Sequence, residues 1–134
     1  MTRSGEPLGP RLLSGLRVVE CSMLLPGAVS TPLADLGADV IKVEPPSGDY
    51  VRSMSWPIVE GQSLLHLHVS RGKRSVVLDL RTDGGRETFL DLVRVADVVV
   101  EAMRPGGLDR SRLACSGRRS ARGRRGPSGA PRLR

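Results

Sequence analysis

Residues Ala34 to Pro46 read ADLGADVIKVEPP. The run predicts the end of a helix, a tight turn at Gly37, a buried strand over Asp39–Val43 and a stop at Pro45-Pro46. Glycine closes helices because it enters the left-handed region without a steric cost. Val40, Ile41 and Val43 suit a pleated, packed surface. Proline has no N–H to give to a ladder and ends it.

Strand-and-turn units flank this run on both sides. Upstream, Leu16–Cys21 (LRVVEC) reads as a strand and Leu24, Leu25, Pro26 and Gly27 as the loop after it. Residues 28–36 form a stubby helix, and Pro32 places its start at Ser30 or Thr31, since proline fits only a first turn. Downstream, residues 47–69 make a long connection with a short helical turn in the apolar stretch Leu64–Val69. Ser75–Leu80 is the third strand and Asp97–Glu101 the fourth. Between them, Thr82 or Asp83 caps a helix. Phe89, Leu92 and Val93 share its apolar face, while Arg86, Asp91 and Arg94 face water. Strands alternating with helices give an α/β fold with an open, mainly parallel sheet. Ligands of such sheets sit beyond the carboxyl ends of the strands.

The formal net charge of +7 comes from one end of the 134-residue chain. Residues 1–110 hold 13 Lys/Arg against 14 Asp/Glu, and residues 111–134 hold eight Arg and no acid. This last segment uses only Arg, Gly, Ser, Ala, Pro, Leu and Cys. It lacks the aromatic and β-branched residues that would offset its ordering entropy, so disorder is expected there. All seven residue types have GC-rich codons, the pattern of a GC-rich gene read out of frame. A basic tail can hold phosphates, but it offers no aromatic on which bases stack, which argues against nucleic acid as a partner.

Two cysteines make no disulfide framework; Cys21 ends a strand as a small core residue. No apolar run reaches the roughly 20 residues of a membrane span, and residues 1–15 lack a signal-peptide core, so a cytoplasmic protein is expected. His66 and His68 lack a third ligand nearby, and no metal is expected. No Walker A motif and no G-x-G-x-x-G after the first strand appear. Arg71-Gly72-Lys73-Arg74-Ser75, directly before a strand, is the densest basic cluster ahead of the tail; it reads as a solvated basic turn, with pairing of its cations to phosphates as the alternative. Glu44 and Glu101 end their strands, where they accept hydrogen bonds from a ligand or from neighbouring loops.

The ordered motifs Leu13–Glu20 (LSGLRVVE), Leu25–Gly27 (LPG), Ala34–Pro46, Arg71–Leu80 (RGKRSVVLDL), Ala96–Glu101 (ADVVVE) and Arg104–Arg110 (RPGGLDR) resemble the class III CoA-transferase, or CaiB–BaiF, family. This family includes formyl-CoA transferase-like enzymes and α-methylacyl-CoA racemases. The resemblance covers residues 13–110 and stops at Ser111. It implies a partial, Rossmann-like coenzyme A-binding domain over 13–110, after a lead-in of residues 1–12 and before the tail of residues 111–134. It implies acyl-CoA as substrate and interlocked homodimers of much longer chains. By position, Leu24 and Leu25 match the loop at the thiol end. Leu78 and Arg81 match a stretch lining the nucleotide, Ala102, Met103 and Arg104 the segment after the fourth strand, and Arg110 a basic coenzyme contact. Pro45 stands where the family commonly has Arg, and Ala102-Met103 where it often has Asn-Phe.

The family's transferases attack the acyl-CoA thioester with an Asp carboxylate. That Asp, like the racemases' acid–base pair, lies well beyond residue 110, and Asp109 belongs to the shared turn. The expected function is therefore the N-terminal part of a CoA-transferase, inactive alone and without a catalytic residue. The alternatives are a racemase fragment or a non-enzymatic fragment with a nucleic-acid-binding tail.

Overall fold

The computed structural model describes residues 11–23, 25–103 and 113. In chain order the elements are β1 (Arg17–Cys21), α1 (Leu25–Asp35), β2 (Asp39–Glu44), a 3-10 turn (Tyr50–Ser53), β3 (Pro57–Val59), β4 (Gln62–Ser63), α2 (Leu64–Ser70), β5 (Arg74–Val77), α3 (Asp83–Val95) and β6 (Val98–Glu101). Strands β5, β2, β1 and β6 form one sheet in that order, with every neighbouring pair parallel. β3 and β4 form a separate antiparallel ribbon.

Side chains along a strand alternate between faces, and Val18 and Val19 show it. Val19 joins Val43, Phe89, Val93 and Ala96 in the cluster on the α3 side. Val18 joins Val40, Ala34 and Ala38 in the cluster under α1. Phe89 is 1% exposed, and burying such a ring contributes about 1.5–3 kcal/mol. The turn that decides the fold forms as read: Gly37 sits at φ +101°, its N–H bonds to the Ala34 carbonyl at 2.9 Å, and Asp39 N–H bonds to the Leu16 carbonyl at 2.8 Å. The second bond starts the pairing of β1 with β2.

β1, β2 and β6 lie within one residue of their expected bounds at each end. Two elements differ more. α1 begins at Leu25, ahead of Ser30, and keeps Pro32 inside it. Its first turns are tied down by side chains: Ser30 Oγ lies within hydrogen-bonding distance of the Gly27 carbonyl and of the Glu20 carboxylate. Those bonds secure the helix before the residue that lacks an N–H. The third expected strand ends at Val77 instead of Leu80. Leu78 N–H bonds to the Glu44 carbonyl at 2.9 Å; beyond it β2 gives way to Pro45-Pro46, which offer no donor.

The connection over 47–69 is more ordered than a loop. Asp49 caps the 3-10 turn by accepting from Val51 N–H, and Ser63 caps α2 by accepting from His66 N–H. Within α3, Phe89 and Val93 are buried and Leu92 partly so, while Asp91 and Arg94 are exposed and paired. Arg86 departs from the expectation: it is half-buried and donates to the carbonyls of Leu80 and Arg81. The lead-in to residue 10 lies outside the described residues, as does residue 104 onward except Leu113. Leu113 falls in the segment expected to be disordered, yet it is 3% exposed in the α3-side cluster. Its isobutyl group is placed on apolar surface that the composition of the tail alone does not reveal.

Candidate functional site

A cleft of about 430 Å³ opens at the carboxyl ends of β1, β2 and β5. Cys21 and Val43 form its floor with Leu78 and Leu80, and Glu44, Pro45, Pro46 and Ser47 line one wall. Asp79 and Arg81 complete the lining. The volume falls in the range of small-molecule sites, and the place is where an open parallel sheet takes its ligand.

The turn after β5 shapes the far wall. The Asp79 carbonyl accepts from Thr82 N–H at 3.1 Å and from Thr82 Oγ1 at 2.8 Å, and Thr82 Oγ1 accepts from Gly85 N–H at 3.1 Å. A Cβ at Gly85 would stand 2.0 Å from the Asp79 oxygen. The turn and the start of α3 therefore touch backbone to backbone, and only glycine permits the approach. Arg81 is exposed and held by the Asp79 carboxylate, Nε to Oδ1 at 2.9 Å and Nη2 to Oδ2 at 3.0 Å. That guanidinium holds the Asp79 carboxyl below its usual range. The two side chains form a mutually neutralised pair on the lining of the cleft.

Of the residues matched by resemblance, Leu78 and Arg81 line the cleft. Ala102 and Met103 follow β6, whose Glu101 pairs with Cys21 of β1. Ala102 is exposed, whereas Met103 is partly buried against the α3-side cluster and its N–H bonds to Glu101 at 2.7 Å. Leu25 opens α1. Leu24, Arg104 and Arg110 lie outside the described residues. Cys21, read as a core residue, is half-buried and faces both the core and the cleft. Burial, with Glu101 next, pushes its thiol up to about 11, so it stays protonated and a weak nucleophile.

The cations of the basic cluster over 71–74 are each paired with a carboxylate. Arg71 pairs with Asp35 and Arg74 with Asp39 on the surface. Lys73 is not solvated at all: its side chain is 1% exposed and its ammonium lies 2.7 Å from Glu20 Oε2. Each cation has a structural carboxylate. His66 and His68 diverge on α2, with His66 buried and His68 exposed. His66 Nδ1 meets Gln62 Oε1 at 2.9 Å, and burial, then the nearby Arg52, lowers its pKa. Among the described residues no group of three or more His, Cys, Asp or Glu is placed to hold a metal ion.

Sequence reasoning missed an ionic cluster behind the cleft. Glu20, Lys42 and Glu44 occupy the α1-facing side of β1 and β2, where they are 0%, 2% and 2% exposed. Lys42 Nζ lies 2.9 Å from Glu20 Oε1 and 2.8 Å from Asp49 Oδ2. Arg52 grips Glu44 with Nε and Nη2 at 2.9 and 2.7 Å, Ser75 Oγ donates to it at 2.7 Å, and Asp49 N–H does so at 2.9 Å. Arg52 first, with these other donors, brings the Glu44 carboxyl down to about 2. The two lysines move in opposite directions. Burial depresses both, but two carboxylates more than reverse it at Lys42. At Lys73 burial wins: Glu20 opposes it and Lys42 adds to it, so its pKa ends lowered. Lys42 and Glu44, two residues apart inside an apolar strand, were the available signal: charges there must find partners.

The profile of CoA-transferase family III matches residues 13–121; the sequence reading ended the resemblance at Arg110. The chain is 46% identical over 111 residues to the acetyl-CoA:oxalate CoA-transferase of Acetobacter aceti, covering 81% of this chain and 28% of that protein. It is 46% identical over 103 residues to the succinyl-CoA:mesaconate CoA-transferase of Haloarcula hispanica, covering 73% and 26%. Among solved structures, a CAIB/BAIF family protein from Brucella suis superposes with a TM-score of 0.74 at 44% identity, covering 79% of this chain and 29% of that one. The chain thus spans between a quarter and three-tenths of the length of these relatives.

Proposed function

The chain belongs to CoA-transferase family III, and from that premise we propose that residues 13–110 supply the coenzyme A-binding wall of an enzyme that moves coenzyme A between an acyl thioester and a carboxylic acid. The observation that carries the reading is the cleft beyond β1, β2 and β5, one side of which is Leu78 to Arg81, the run that by resemblance matches the family's nucleotide-lining stretch. Leu78, Leu80 and the two prolines offer an apolar slot for a flat ring, and Arg81 offers a guanidinium to a phosphate once released from Asp79. Leu24, Leu25, Ala102, Met103, Arg104 and Arg110 are proposed as further contacts along the coenzyme. We assign no catalytic residue here. The covalent carboxylate step that the resemblance implies is no part of this wall. A racemase reading gains nothing from relatives that are CoA-transferases. The interlocked homodimer and a cytoplasmic location belong to the same proposal; no helix among the described residues is long and apolar enough to cross a membrane.

Isothermal titration of the chain with coenzyme A tests the reading. Saturable binding that adenosine 3′,5′-bisphosphate competes away is expected, weakened about tenfold by Arg81→Ala. A folded chain that gives no heat with either compound at millimolar concentration overturns it.

A further inference from the structure

Two buried lysines reach past their counter-ion to the backbone of one connection. Lys42 Nζ donates to the Ser22 carbonyl at 2.8 Å, and Lys73 Nζ donates to the Gly27 carbonyl. Ser22 follows β1 and Gly27 lies in the first turn of α1, so the two carbonyls bracket the β1–α1 connection. Both ammonium groups also bind the Glu20 carboxylate, one on each oxygen. The three side chains are 3%, 1% and 0% exposed. Pairing with Glu20 alone does not require either ammonium to touch the connection, yet both do, on opposite sides of it. Ser22 Oγ and Ser30 Oγ close on the same carboxylate from its two ends.

We infer that Lys42 and Lys73 are positioning residues that fix the backbone at Ser22 and Gly27, on either side of the β1–α1 connection, for coenzyme binding. The inference rests on the coenzyme reading above, in which this connection meets the thiol end. A backbone segment fixed before the ligand arrives loses little further freedom on binding, and affinity gains by that saving. Lys73 spans from the residue before β5 to the start of α1, so it also ties the far edge of the sheet to that connection. The chemistry asked of both lysines is donation of N–H bonds at a fixed place. Neither touches the reacting atoms.

The test measures coenzyme A and adenosine 3′,5′-bisphosphate on the wild-type chain, on Lys73→Met, and on the double variant Glu20→Gln/Lys73→Met. The double variant removes one buried charge of each sign, so it keeps the cluster neutral while still lacking the bond to Gly27. If the lysine positions the thiol end, coenzyme A binds about five- to tenfold more weakly to both variants. Adenosine 3′,5′-bisphosphate, which lacks that end, then binds within about twofold of wild type. Should the double variant melt like wild type and bind coenzyme A equally well, positioning is overturned. Equal weakening of both probes also overturns it and assigns the lysine a purely structural role. A wild-type chain that takes neither probe overturns the coenzyme reading, and this inference falls with it.

Discussion

On the α3 side of the sheet, Val19, Val43, Phe89 and Val93 meet without a buried charge among the described residues. On the α1 side, Val18 and Val40 fill only the half near the amino ends of the strands. The other half belongs to Glu20, Lys42 and Glu44, with Asp49, Lys73 and Arg52 packed over them. The first face is held by burial, which is non-directional and falls off in proportion to the area lost. The second is held by stoichiometry, three carboxylates against three cations. Removing one member strands an opposite charge where water cannot reach it. One sheet therefore carries a tolerant face and an intolerant one, and the intolerant face lies toward the carboxyl ends, next to the cleft.

The largest expected effect comes from Lys42→Met, which leaves two buried carboxylates short of a cation. A loss of about 3–5 kcal/mol in urea unfolding is expected. A loss below about 1 kcal/mol would mean that water already serves these groups, and the contrast between the faces would collapse. Acid is the next lever. Glu44 is held at about 2 against an ordinary 4.5, so the folded state binds its proton less readily than the unfolded chain does. Its contribution is complete above pH 4.5 and fades as the pH falls toward 2. Between pH 6 and pH 3 that amounts to about 2 kcal/mol. His66 acts with the same sign at higher pH: its lowered pKa means stability is shed as the pH falls through the ordinary histidine range. Unfolding curves of Glu44→Gln across this window are expected to flatten on the acid side; an unchanged acid limb would remove Glu44 from the account.

On the other face, Phe89→Leu is expected to cost about 1.5 kcal/mol, since it trims a ring from a packed cluster without exposing a charge. Its acid limb should match wild type, and a steeper one would show that the two faces are coupled. The smallest effect is expected at the surface. Asp35→Asn breaks the exposed pair with Arg71 and should leave the melting temperature where it was. A clear drop would show that intolerance of lost charge is general to the chain and not confined to the buried cluster.

The apolar face was legible because its signals are local. Val18-Val19, Ile41 and Val43 mark strands between glycine and proline punctuation, and Phe89, Leu92 and Val93 fall at helical spacing. The ionic face was not, because its pairs join residues far apart in the chain: Glu20 meets Lys42 22 positions away and Lys73 53 positions away. Until β1, β2 and β5 are set side by side, Lys73 looks like one more cation in a basic turn. The end of β5 was hidden for a similar reason, since it depends on where its neighbour runs out of donors. The start of α1 was hidden by Pro32, whose local preference is outweighed by side-chain bonds to Gly27 and Glu20. In the cleft, Leu78 and Arg81 were reached through resemblance, while Cys21, read as a core residue, also ends a strand on the edge where such a sheet takes its ligand.

The strand order has a consequence for how the chain is made. Of the four described strands of this sheet, β1 leaves the ribosome first, but one of its two neighbours, β6, begins at Val98, 77 residues after Cys21. At about 5–20 residues per second, that side of β1 waits about 4–15 s for its partner. Throughout this interval the nascent chain carries an unpaired strand edge at what becomes the middle of its sheet, open to any passing strand of another chain. The codons between Cys21 and Val98 thus set an exposure time, and slowing them lengthens it without changing a single amino acid.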